Sequence, residues 1–126
     1  MSDISGLNEL VADLSAAPLH AKIAARSVVQ KGCLNIKQDA QRLISGLRHA
    51  PLYPSSITYE TEEKGNGNME GVVGPDKSLP GRQGGLGNIL EYGTAKNPPL
   101  AHLGPALDLE GPRFMKAIEK LADEAF

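Results

Sequence analysis

Residues 57–74 read Ile57-Thr58-Tyr59-Glu60-Thr61-Glu62-Glu63-Lys64-Gly65-Asn66-Gly67-Asn68-Met69-Glu70-Gly71-Val72-Val73-Gly74. Ile57, Tyr59 and Thr61 alternate with Thr58, Glu60 and Glu62, the two-residue period of a half-exposed strand. Lys64 to Asn68 is a turn by composition, because Gly and Asn adopt positive φ at little cost. Met69 to Gly74 returns as a second strand, so the spacing predicts an antiparallel hairpin. A hairpin between helical segments decides the fold class.

Upstream the period is helical. Ala25, Val29, Cys33, Ile36, Ala40, Leu43 and Leu47 recur at steps of three and four, opposite a polar, mostly basic face of Lys22, Arg26, Gln30, Lys37, Gln41 and Arg42. The pattern predicts a long helix from about Pro18 to Ser45, weakened at Gly32 by about 1 kcal/mol relative to Ala. Gly46 is its stop signal, and Ala50-Pro51 an extended exit. Leu7, Leu10, Val11 and Leu14 fall at i, i+3, i+4 and i+7, which predicts a short helix before it, capped by Asp3 or Ser5.

Downstream, Pro75 to Gly87 reads as a long mobile loop and Leu86 to Tyr92 as a third strand. Phe114, Ile118, Leu121 and Ala125 form the stripe of a last helix. Pro112 stands where that helix would begin, and Pro105 to Leu109 reads as a separate short turn. The expected architecture is α+β: long N-terminal helices, a small antiparallel sheet of about three to four strands with a long loop, and a C-terminal helix. At 126 residues, the chain is a single domain, residues 1–126, with room for one core.

Composition excludes several functions. Thirteen basic against fifteen acidic residues give a charge of −2, without the basic stripe that a dedicated nucleic-acid binder uses to displace counterions. The single cysteine, Cys33, cannot form an internal disulfide, which fits assembly in a cytosol. No secretory signal or run of 18 apolar residues is present, so neither export nor a membrane span is expected.

Candidate chemical sites have blander readings. His20, His49 and His102 lie in three different elements without metal-site spacing and read as ordinary surface histidines. Cys33 sits on an apolar helical stripe and reads as buried and inert. The motif Gly-x-Ser-x-Gly is absent. Gly84-Gly85-Leu86-Gly87 precedes an expected strand, not the helix N-terminus a phosphate loop needs. Glu60, Glu62 and Glu63 form either a solvated strand face or the lining of a lumen whose negative charge keeps DNA from sticking. No catalytic residue, cofactor site or metal site is expected, and the chain reads as a non-enzyme.

The segment Gly87-Asn88-Ile89-Leu90-Glu91-Tyr92-Gly93-Thr94-Ala95-Lys96-Asn97-Pro98-Pro99-Leu100-Ala101-His102-Leu103-Gly104-Pro105-Ala106-Leu107-Asp108 resembles the hallmark of the neck or minor tail components of long, non-contractile-tailed bacteriophages. Glu91, Tyr92, Gly93 and Thr94 match the first part of that motif, Pro98 and Pro99 its loop, and Pro105, Ala106 and Leu107 its end. The long helix, the exit at Pro51 and the strand end at Val73-Gly74 match the family's layout. The chain departs from it in Leu100-Ala101-His102, where an aromatic often follows the loop proline, and at Pro112, within what is frequently one helix.

The resemblance implies a structural virion protein at the head–tail junction or top of the tail, assembled in the host cytoplasm. It implies a homo-oligomeric ring of six or twelve copies, joining head-completion or connector proteins to a tail terminator or tube protein, with DNA passing through the lumen. Two other classes compete with it. One is a non-virion assembly chaperone or small regulatory binding protein; the other is a hydrolase or nuclease, disfavoured by the missing constellations.

Overall fold

In the computed structural model, the described residues are 8–13, 19–64 and 68–125. Three strands, β1 (Asn8–Asp13), β2 (Ile57–Glu63) and β3 (Asn68–Pro75), form an antiparallel sheet in the order β1-β3-β2. A long helix, α1 (Leu19–Leu43), covers one face, and a second long helix, α3 (Leu103–Ala125), lies alongside α1. A short helix, α2 (Gly87–Tyr92), leads toward α3. The architecture is mixed helix and sheet. The expected turn at Gly65 to Gly67 and the caps Asp3 and Ser5 lie outside the described residues.

The hairpin follows from its alternation. Tyr59 pairs with Val73 and Thr61 with Gly71, and Ile57, Met69 and Val73 are buried against Val29, Cys33, Ile36 and Ala40 of α1. Glu60 and Glu62 stand on the alternate positions and are exposed. Glu63, on the α1 side, pairs with Arg26. Helix and sheet approach closely at Gly71, where a Cβ would overlap Cys33 Sγ and lie 3.1 Å from Val29 Cγ1. Small residues on both surfaces bring the layers together, and the core is almost wholly aliphatic.

Helix α1 runs through Gly32, which is buried within it. Gly46, at φ +81°, ends the helical region in the left-handed conformation that glycine adopts most cheaply. A 3-10 turn at Tyr53–Ser56 then delivers the chain to β2, held to α1 by Gln41 Nε2 donating to Pro54 O at 3.0 Å.

Four sequence expectations are corrected. The first helix is β1: Asn8 to Asp13 pair with Val73 to Asn68, so cross-strand bonding overrides a weak helical pattern in a short segment. The third strand, Leu86 to Tyr92, is a 3-10 turn at Gly84–Leu86 running into α2. The expected loop from Pro75 therefore ends in helical structure, and it is tied by Asp76 Oδ1, which accepts from Ser78, and by Gln83 Oε1, which accepts from Leu52 N.

The fourth correction concerns the last helix, which starts at Leu103 and continues through Pro112. A proline inside a helix removes one hydrogen bond at a cost of about 3 kcal/mol. Buried Leu103 and Ala106 before it and Phe114 after it anchor the two halves to the same core.

Candidate functional site

The segment from Glu91 to Leu107 forms a single corner between α2 and α3. Gly93 leaves α2 at φ +76° and ψ −175°. A Cβ there would meet Pro99 N at 2.7 Å and Asn97 O at 2.8 Å, so a side chain is excluded by backbone on two sides as well as by φ. Thr94 closes the next turn: its N–H donates to Asn97 O at 2.9 Å, and its Oγ1 accepts from the N–H groups of Lys96 and Asn97. Leu100 N–H then donates to Leu90 O at 2.7 Å, returning the chain antiparallel to α2.

This return places Glu91 against the start of α3. Glu91 is 7% exposed. Its Oε1 accepts from the backbone N–H of His102 at 3.0 Å and of Leu103 at 2.9 Å, and its Oε2 from that of Gly104 at 3.2 Å. The first N–H groups of any helix lack partners within it. Here a carboxylate from another element takes them, with charge-assisted bonds at the positive end of the helix dipole. Pro105 comes next and has no N–H to satisfy, and Ala106 N–H donates to His102 O at 3.1 Å. The first turn of α3 is left with no orphan donor.

His102 carries the network into the core. The ring is wholly buried, contrary to the surface position expected for it, while His20 and His49 are exposed. Its Nε2 lies 2.7 Å from the Tyr53 hydroxyl, and its Nδ1 lies 2.9 Å from Leu100 O and 3.1 Å from Glu91 Oε1. Burial, reinforced by the Glu91 charge, holds the Tyr53 hydroxyl far above the ordinary tyrosine range. Because Nδ1 faces two acceptors, Leu100 O and Glu91 Oε1, the neutral ring is assigned its proton there, and Nε2 accepts from the Tyr53 hydroxyl. Tyr53 and His102 are both fully enclosed, so neither ring is open to a substrate.

Of the residues in the motif, Gly93, Thr94, Pro99 and Pro105 shape the corner, Glu91 caps α3, and Ala106 and Leu107 pack α3 onto the core. Tyr92 points outward, 65% exposed. Sequence reasoning missed Tyr53 and the burial of His102.

A second polar cluster joins α1 to α3. Asn35 Nδ2 donates to Glu110 Oε1 at 3.1 Å, and Arg113 Nη1 lies 3.6 Å from Glu110 and 3.5 Å from Asp39. Burial pushes the Glu110 carboxyl upward, opposed by the Asn35 hydrogen bond and the Arg113 charge. Nearby, burial and the Glu110 charge push the Cys33 thiol up to about 11, which leaves it protonated and unreactive at neutral pH.

Beside the corner lies an open apolar groove of about 320 Å³, lined by Leu47, Ala50, Leu86, Ile89, Pro98 and Leu100 among others. Ile89 and Leu100 are half exposed along it. Among the described residues no group of three or more His, Cys, Asp or Glu is placed to hold a metal ion, and no helix is long and apolar enough to cross a membrane. Comparisons of the chain with protein-family models, with curated proteins and with solved structures find no match.

Proposed function

We propose that this chain is a structural component of a tailed-phage particle, one subunit of a ring of six or twelve copies at the head–tail junction. In this role it performs no chemistry and joins a head connector to the tail. The observation that carries the reading is the Glu91 cap. The residues of the family-like motif form one mechanical unit, with Glu91 reaching across Gly93 and the Thr94 turn to fix the start of α3. A motif of this kind marks a fold, as expected for a scaffold protein recognised by a corner and not by a reactive centre.

Two further features support it. The polar network is enclosed, and the accessible surface next to it is apolar and open, which suits protein contacts. Glu60 and Glu62, on the sheet face away from α1, give that face the sign that lets DNA slide past without gripping. Washed particles of a phage encoding the chain, analysed by quantitative mass spectrometry, should contain it at six or twelve copies per particle. Its absence from particles while abundant in infected cells would favour an assembly chaperone and refute the structural reading.

A further inference from the structure

Strand β2 is an outer strand, with β3 on one side and no strand on the other among the described residues. Its hydrogen-bonding phase follows from the two ends of the hairpin, where Lys64 N–H donates to Asn68 O and Asp76 N–H to Ser56 O. In an antiparallel pair, residues that exchange such bonds alternate with residues that do not. With Thr58 opposite Gly74, Glu60 opposite Val72 and Glu62 opposite Glu70, the even-numbered residues of β2 turn their backbone groups to β3. The N–H and C=O groups of Tyr59, Thr61 and Glu63 therefore point away from the sheet, and nothing among the described residues takes them. Thr61 and Glu63 are exposed and Tyr59 is partly buried. On the α1 side, an open groove of about 220 Å³ lies beside Thr61, lined also by Arg26, Val29, Glu63 and Met69. On the opposite side stand Glu60 and Glu62, both exposed.

We infer that the β2 edge takes an extended strand of a different protein, one carrying Lys or Arg on both sides of an aliphatic residue. Strand addition satisfies the free backbone groups of the edge. The added residue opposite Thr61 exchanges hydrogen bonds with it and turns its side chain to the α1 side, over the groove. Its two neighbours stand opposite Glu60 and Glu62 in non-hydrogen-bonded pairs, where side chains approach most closely. A cation at each of these positions complements the carboxylate it faces. A second copy of β2 does not fit, because antiparallel pairing about Thr61 would set Glu60 of each copy directly against Glu62 of the other. No other segment of the chain fits either, since no two Lys or Arg residues stand two apart anywhere in the 126 residues. The inference is independent of the ring reading, and either can fail while the other stands.

The probe is a capped peptide, Thr-Thr-Thr-Lys-Val-Lys-Thr-Thr-Thr, titrated into the isotope-labelled full chain and followed by the shifts of backbone amides in NMR spectra. The largest shifts are expected at residues 57–63. A peptide with Glu-Val-Glu at its centre should bind about tenfold more weakly, the swing of two cross-strand charge pairs. A peptide N-methylated at valine keeps every charge but loses the N–H opposite Thr61, and should also bind about tenfold more weakly. The double variant Glu60→Lys, Glu62→Lys, checked for folding by circular dichroism, should reverse the preference between the two charged peptides. Equal binding of the N-methylated peptide would reduce the contact to charge attraction and overturn strand addition, a result that needs no variant to fold. Shifts centred elsewhere, or none at millimolar peptide, would overturn it as well. Shifts at residues 57–63 on raising the protein concentration alone would show a second copy at the edge and refute the foreign strand.

Discussion

The α1–sheet core and the Glu91 corner hold the same small domain together by opposite means. The core is aliphatic, built from Ala, Val, Ile, Cys and Gly whose shapes let helix and sheet approach at Gly71. Its energy comes from area and volume, so it responds gradually to changes in size. The corner is a buried polar network in which one carboxylate answers three backbone donors and a histidine bridges to Tyr53. Its energy comes from direction and charge, and a single missing atom leaves several groups unpaired. A domain with few aromatics can thus fix a long final helix without a large core beneath it.

The sharpest way to break the comparison is at Glu91. Glu91→Ala leaves three N–H groups without an acceptor, two buried and one part-buried, and should cost about 3–5 kcal/mol in urea unfolding. A loss below about 1 kcal/mol would mean that solvent reaches the start of α3 and that the corner resembles any surface cap. In the core, Gly71→Ala should cost about 1–3 kcal/mol by overpacking against Cys33. Adding Cys33→Ala should recover part of that loss, and a double-mutant cycle measures the coupling. Strict additivity would show that the two residues do not share the contact.

Smaller effects sharpen the picture. Tyr53→Phe removes the donor to His102 Nε2 and should cost about 1–2 kcal/mol. Glu110→Gln tests the α1–α3 seam through pH. Because burial raises the folded-state pKa of Glu110, the unfolded chain ionises first. This group's contribution to stability is therefore greatest below the ordinary carboxyl range and falls as pH rises through it toward the raised folded value. The variant should flatten that decline, seen as a smaller difference in Tm between acidic and neutral pH. Finally, Cys33, buried with its thiol pushed up to about 11, should resist alkylation at pH 8 in the folded protein and react on unfolding.

The same contrast explains what could be read from the sequence. Helix α1 and strands β2 and β3 were legible because each buries one face over enough residues for a period to emerge. Six-residue elements gave no such purchase. In β1, Leu10, Val11 and Ala12 follow one another and suit either period. Across the 3-10 turn and α2, Leu86, Ile89 and Leu90 stand at helical spacing, but a run of so few residues fits a short strand as well. The motif residues were identified, but the role of Glu91 was not, because its partners lie 11 to 13 residues away and backbone donors leave no mark in a sequence. His102 was misplaced for the same reason, since its partner Tyr53 is 49 residues distant.

Amide hydrogen exchange at His102, Leu103 and Gly104 tests most directly the claim that the Glu91 corner fixes the last helix. The account predicts that these three amides exchange as slowly as those of Val29 to Ile36 in α1, opening only with global unfolding, and that Glu91→Gln accelerates them before any other region. Exchange at the rate of an uncapped helix start in the wild-type protein would contradict it.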